Sequence, residues 1–507
     1  MKTQNSNSAG PPPRAWEQKA VLLLCVLAAV HVFIYSAAFP FFNNVDEPVH
    51  FDLVLKYAHG NFPRKLEPLG TEAISYYVLY GSPVYLSAAT NDQEFVPQPW
   101  KLPNQTQDLL IHAGSPVLQG TNFESSQPPL YYLLAGAWWR LAGSLGLDDG
   151  EKLFELHFLN IPVVCLLVWF GWFAARQTFP DRIFPRIGVP AFIACMPQSA
   201  FYSVENDVLS PLCFGAAFAC LLRLLQADSP NWRLGALTGL ALAATFLTKM
   251  TNVPLLAVSI AALAWFTWRL KQRRTLHQAL PALITLSVCA ALPALVWMVW
   301  CLKNFGDLTG SEPKVLYWSW TAKSFPDWFH HPIFTPHGAW TFCSQFLSSF
   351  WQGEMNWHKR PLTPPYTDWF YQFITVILLL GTLIKIFRPA ALRRQTGQPQ
   401  EEYRALRFSF FLFASSVAFL VLISIRYDFH DCPYPSPAFP YVISGRLALG
   451  ALIPFLLLFV SGLHLVLHRL SLPLKFIVLA AFNLAMLLAE FAANLPVFFD
   501  KYNWYHL

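Results

Sequence analysis

Apolar runs of roughly 18 residues or more recur along the whole of this 507-residue chain, and a helix needs about that length to cross about 30 Å of hydrocarbon. Inside lipid the backbone must satisfy its hydrogen bonds within itself, so such a chain folds as an all-α polytopic membrane bundle. Composition agrees: 13% of residues are charged, against about 25% in soluble domains, and no stretch is left for a large soluble domain. The formal charge of +6 is small for the length, and Lys and Arg sit in short loops, not in a block suited to nucleic acid.

Those basic loops orient the bundle, because positive loops stay cytoplasmic. Lys2, Arg14 and Lys19, the loop Arg176 to Arg186, the run Arg269 to Arg274 and the loop Arg388 to Arg407 all fall inside on one map. Met1 to Lys19 reads as a cytoplasmic tail before an uncleaved signal anchor, Val21 to Phe39, since no small-x-small cleavage pattern follows it. From Ile187 onward, apolar segments run near 188–204, 207–226, 234–248, 252–268, 278–302, 370–387, 408–425, 442–467 and 474–497. Asp46 falls outside and Arg176 inside, so an odd number of crossings must lie between Gln127 and Arg176. Two apolar stretches are visible there. Either the one near 128–145 is partly juxtamembrane, or a short span is hidden. The total is about eleven to thirteen spans, with the C-terminus outside.

The chain divides into the tail 1–19, a transmembrane module 20–302 that includes an outer loop 42–127, an outer loop 303–368, and a C-terminal transmembrane module 369–507. Both outer loops exceed the length expected of structureless connections, so each should carry short surface helices and contribute to a site. The second is rich in Trp, from Trp318 and Trp320 to Trp357. Such rings suit the bilayer interface, and they also stack on sugars.

Ionisable residues gather beside apolar segments on the outer face. Asp46, Glu47 and His50 follow the first span, and Glu124 and Gln127 precede the next apolar stretch. Glu205, Asn206 and Asp207 form an outer turn, while Lys249, Arg426 and Arg446 stand at the ends of other spans. Asp46 and Glu47 also suit the cap of a helix from Pro48 to His59, and each cation suits snorkelling to the interface. Together, a base and several cations on one face fit a reaction that abstracts a proton and holds an anionic leaving group.

No phosphate loop, nucleophile elbow or His-Glu-x-x-His zinc pattern is present. His330, His331, His337, His358 and His430 lack ligand spacing. Seven cysteines lie in or at the ends of apolar runs, where they serve as small hydrophobes. Cys343 and Cys432 fall in outer loops, and one disulfide between them is left open. Asn104-Gln105-Thr106 is a glycosylation sequon.

Asp46-Glu47-Pro48-Val49-His50-Phe51 after a first membrane helix, followed by Gln127-Pro128-Pro129-Leu130-Tyr131-Tyr132 opening the next apolar stretch, resembles the C-type (GT-C) membrane glycosyltransferases. Protein O-mannosyltransferases and lipid A aminoarabinose transferases belong to that superfamily. The first motif is also similar to a large set of poorly characterised bacterial multi-spanning proteins. The resemblance implies a GT-C-like bundle with outer-face juxtamembrane helices. It also implies transfer of a sugar from a polyprenyl-phosphate-linked donor to a glycan, lipid or protein acceptor, with inversion.

On that pattern Asp46 is the general base and Glu47 and Glu124 orient it or the sugar. His50, Gln127, Asn206 and Asp207 contact substrate, and Lys249, Arg426 and Arg446 hold the donor phosphate. Gln127 stands where the superfamily often has His or Lys, which leaves a cationic role there in doubt. A divalent metal is left open. A bacterial inner membrane with a periplasmic site fits the short loops; a lumenal site in the endoplasmic reticulum fits the same pattern. The competing readings are a flippase of a lipid-linked intermediate, whose charges should lie at the bilayer midplane and not at one face, and a noncatalytic scaffold of envelope polysaccharide assembly.

Overall fold

A computed structural model describes residues 15–83, 97–358, 360–388 and 400–507; Lys2, Arg14 and residues 389–399 of the last basic loop lie outside them. The first helices are α1 (Ala15–Ala38), α2 (Glu47–Ala58), α3 (Thr71–Tyr80), α4 (Asn104–Leu118), α5 (Leu130–Ser144) and α6 (Asp149–Phe158). Then follow α7 (Asn160–Thr178), α8 (Ile183–Ala194), α9 (Leu209–Gln226), α10 (Trp232–Thr248), α11 (Val253–Gln272) and α12 (Leu276–Phe305). The chain ends with α13 (Glu312–Tyr317), α14 (Pro336–Gln352), α15 (Pro365–Phe387), α16 (Gln400–Arg426), α17 (Leu452–Val466) and α18 (Leu472–Phe498). Strands among the described residues are two short antiparallel pairs. Thr321–Ala322 joins Tyr427–Asp428, and Asn356–Trp357 joins Arg360–Pro361.

Nine segments of the described residues are long and apolar enough to cross a membrane, and α8 and α10 are shorter apolar helices. The α6–α7 segment forms one span, Asp149–Thr178. It runs antiparallel to α1. Trp172 donates to Glu17 at one end, the Cys165 thiol donates to the Cys25 carbonyl midway, and Ser36 donates to the His157 carbonyl at the other end. This single span carries the chain from the end holding Asp46 to the end holding Arg176. The α5 helix lies beside α2, where Tyr132 shares a 2.7 Å hydrogen bond with His50, and it is not among the candidate spans.

One expected span is corrected. The apolar run 188–204 is helical only to Ala194; Pro197 cannot continue a helix ladder, and residues 195–208 are irregular apart from a short 3-10 turn, Ser199–Phe201. This segment is buried throughout. Non-helical backbone at such a place must find partners inside the protein, and it does. Glu47 accepts from the Val204 amide at 2.9 Å, Asn160 donates to the Ser203 carbonyl at 2.9 Å, and Gln198 reaches the carbonyls of Ser349 and Phe350.

Close helix contacts hold the frame around it. A Cβ at Gly235 of α10 would lie 2.1 Å from the Ala282 carbonyl oxygen of α12, and one at Gly239 would lie 2.4 Å from that of Leu286. Only glycine permits this approach, which is how membrane helices gain packing without a hydrophobic drive between them. Cys343 and Cys432 are both free thiols.

Candidate active site

Asp46 precedes α2 in the left-handed conformation, with φ 65°, a region that non-glycine residues seldom occupy and that often marks a functional turn. Its carboxylate does not cap α2. It turns to Arg446, whose Nη2 donates to Asp46 Oδ2 at 2.6 Å. Glu47, one residue on, points the opposite way into the core. There it binds His157 at 2.8 Å and accepts from the amides of Phe42 at 2.8 Å and Val204 at 2.9 Å.

Arg446 is the hub. Its Nη1 donates to Glu205 at 2.7 Å and to Asp207 at 3.2 Å, and its Nε donates to Glu354 at 3.2 Å. Gly445 lets this turn press against α14, since a Cβ there would meet the Phe350 nitrogen at 2.1 Å. Asp207 also holds Lys249 at 2.5 Å. Four carboxylates thus surround one guanidinium with one ammonium beside it. Burial, and then the neighbouring Asp207 charge, push Glu205 up to about 8 against the pull of Arg446 and Lys249. Asp46 is the most accessible of the four, its side chain 26% exposed against 0% for Glu205 and Asp207 and 19% for Glu354.

A polar chain continues toward the segment before α5. Asn206 donates to Gln127 at 3.2 Å and to the Thr248 carbonyl at 3.1 Å, Gln127 donates to Glu124, and Glu124 pairs with Lys314. Burial alone would raise Glu124, but Lys314 and His50 hold its carboxyl down at about 2. Burial drives His50 down to about 4 despite the nearby charges of Glu124 and Asp46. The Asn206 Oδ1, the Asn44 Oδ1 and the Asn43 amide are buried without a hydrogen-bond partner among the described residues.

Of the residues singled out from sequence, Asp46, Glu124, Gln127, Asn206, Asp207, Lys249 and Arg446 join this network, and His50 lies against it. Arg426 does not. It is exposed at the end of α16 with its guanidinium over the Tyr427 ring. Lys314, Glu354 and His157 were not singled out; they are ordinary polar residues in sequence, and their partners are remote. Among the described residues no three His, Cys, Asp or Glu side chains group to hold a metal ion.

The charges also do not all gather at one end. Glu17 pairs with Arg186 and Glu402 with Lys385 at the opposite end. Within the bundle His31 of α1 binds Glu490 of α18 at 2.7 Å, and the Tyr202 hydroxyl donates to Glu490 at 2.6 Å.

The fold is that of a polytopic membrane protein with a buried acid–base network at one end. The chain belongs to the family described as predicted membrane protein (DUF2142), which matches residues 27–426. No curated protein sequence matches it. Among solved structures it is similar to the oligosaccharyltransferase AglB of Archaeoglobus fulgidus in complex with an inhibitory peptide and a dolichol-phosphate. Identity is 11% and the TM-score 0.42, over 96% of this chain and 56% of that one. It is also similar to ArnT of Cupriavidus metallidurans bound to undecaprenyl phosphate, at 13% identity and a TM-score of 0.34, over 89% of this chain and 81% of that one. The chain thus spans little more than half the length of AglB, and likeness at these scores assigns no activity.

Proposed function

We propose that the chain is a membrane glycosyltransferase that moves a sugar from a polyprenyl-phosphate-linked donor to an acceptor hydroxyl on the outer face. The observation that carries this reading is Asp46, a part-exposed carboxylate held in a left-handed turn at the open edge of a buried charge network. Support also comes from the resemblance of the Asp46-to-Phe51 and Gln127-to-Tyr132 stretches to the GT-C pattern. The acceptor oxygen attacks the anomeric carbon, Asp46 takes its proton, and the bond from that carbon to the phosphate oxygen breaks with inversion. The polyprenyl phosphate departs as an anion and needs no proton, only positive charge. The outer face in this reading is the end opposite the loops that carry Arg186 and Arg273.

A second reading has one observation in its favour. Ionisable residues at membrane depth mark transport pathways, and His31 with Glu490 is such a pair. A flippase moves the lipid-linked molecule unchanged; a transferase leaves free polyprenyl phosphate.

Purified protein is given polyprenyl-phosphate sugars and a membrane extract as acceptor source, and release of polyprenyl phosphate is followed by mass spectrometry. Release by wild type and not by Asp46→Asn is expected. No release from any donor, with Asp46→Asn still complementing a deletion, would overturn the enzyme reading.

A further inference from the structure

A departing phosphate needs a cation with spare capacity. Arg446 and Lys249 stood out in sequence, yet both are committed. Arg446 meets four carboxylates at 3.2 Å or less. Lys249 is 7% exposed and bound to a fully buried Asp207. A phosphate approaching either would have to displace a buried carboxylate and meet the remaining negative charges of the cluster, which disfavours it.

Lys314 is placed differently. It lies in α13 on the second outer loop, and the loop before it is organised by Asp307. That carboxylate accepts from the Thr309 amide at 2.6 Å and hydroxyl at 2.6 Å, and from the Glu312 amide at 2.9 Å. Gly310, with φ 70°, seats the turn against Ser126, next to Gln127. From there the Lys314 ammonium reaches Glu124 and lies 5.1 Å from the Phe123 ring centre. Its side chain is 34% exposed, and among the described residues Glu124 is its one carboxylate. Through Glu124, Gln127 and Asn206 it adjoins the segment that carries Asp207, whose carboxylate holds Arg446. An ammonium with three donors, one carboxylate partner and an open side can take a phosphate oxygen as a further partner.

We infer that Lys314 is the cation that meets the phosphate of the polyprenyl-linked donor, reaching it from the second outer loop while Arg446 and Lys249 hold the acidic cluster together. This rests on the transferase reading and names the phosphate contact within that same site.

The test is binding of undecaprenyl phosphate to the full chain in detergent, read by quenching of its tryptophan fluorescence. Phosphatidylglycerol and inorganic phosphate serve as competitors, and wild type is compared with Lys314→Gln, Lys314→Arg and the double variant Lys314→Gln with Glu124→Gln. Lys314→Gln should weaken binding at least about tenfold and Lys314→Arg should restore most of it. The double variant should stay weak. A Lys314 that only neutralises Glu124 predicts the opposite, since removing both partners would then restore binding. Wild-type affinity in Lys314→Gln, or rescue in the double variant, would overturn the inference while leaving the transferase reading intact. Equal displacement by phosphatidylglycerol would reassign the contact to a general lipid headgroup and overturn it as a donor site. Failure of wild type to bind undecaprenyl phosphate at all would remove the transferase reading, and this inference with it.

Discussion

Asp46 and Arg446 are 400 residues apart in sequence and 2.6 Å apart in the fold. Among the described residues Arg446 is the one side-chain partner of the Asp46 carboxylate, whereas Arg446 keeps three further carboxylates. Losing the Asp46 charge should therefore disturb chemistry far more than folding. Asp46→Asn should lower the rate of polyprenyl phosphate release by about 10²- to 10⁴-fold, the range for a lost general base, with the thermal midpoint in detergent nearly unchanged. A large fall in the midpoint would make Asp46 a structural residue.

Arg446→Met is expected to act the other way round. Without the guanidinium, Glu205 and Asp207 are left fully buried beside a single lysine, and breaking a buried ion network from one side costs about 3–5 kcal/mol. Arg446→Lys should recover only part of this, because a point charge on a flexible stem cannot serve Asp46, Glu205 and Glu354 from three separate nitrogens. Denaturant unfolding of the three proteins compares them directly, and a Met variant as stable as wild type would show that the cluster does not depend on this residue.

The sequence places Asp46 and Glu47 together as a catalytic pair, but the fold gives them different surroundings. Glu47 is 1% exposed and fastens α2 to His157 and to the Val204 amide. Glu47→Gln should destabilise by about 1–3 kcal/mol, because it replaces one oxygen of a buried carboxylate that serves His157 and the amides of Phe42 and Val204 with an amide NH2 that cannot accept. Activity per folded molecule should stay within a few-fold of wild type. Loss of turnover in protein shown to be folded would return Glu47 to the chemistry.

How much of this was legible varies by residue, for physical reasons. The spans could be read because the length needed to cross a bilayer is fixed and apolar runs of that length are conspicuous. Asp207, Lys249 and Arg446 could be read because a charge beside such a run is expensive unless partnered. Arg426 carries the same local sign and lies outside the cluster, since what separates it from Arg446 is which helices its own helix packs against. The divergence of Asp46 from Glu47 was hidden for the same reason, their partners lying 400 and 110 residues away. Lys314 and Glu354 show nothing local at all; they become functional candidates only once the fold brings Lys314 to Glu124 and Glu354 to Arg446.

The network should also set a pH profile for stability. Glu205 is pushed up from 4.5 to about 8, so the folded chain holds a proton that the unfolded chain releases, and its contribution fades as pH rises through that interval. His50 is pushed down from 6.5 to about 4, so the unfolded chain takes the extra proton, and its contribution is lost as pH falls through that interval. Glu124, held down at about 2, adds a loss only below 4.5. Between 4.5 and 6.5 the slopes of Glu205 and His50 oppose each other. Glu205 should therefore contribute a fall in unfolding free energy of about 1.4 kcal/mol per pH unit as pH rises from 4.5 toward 8. Glu205→Gln, which keeps an acceptor for Arg446 but has no proton to lose, should abolish that fall. An unchanged alkaline slope in this variant would place the titrating group elsewhere.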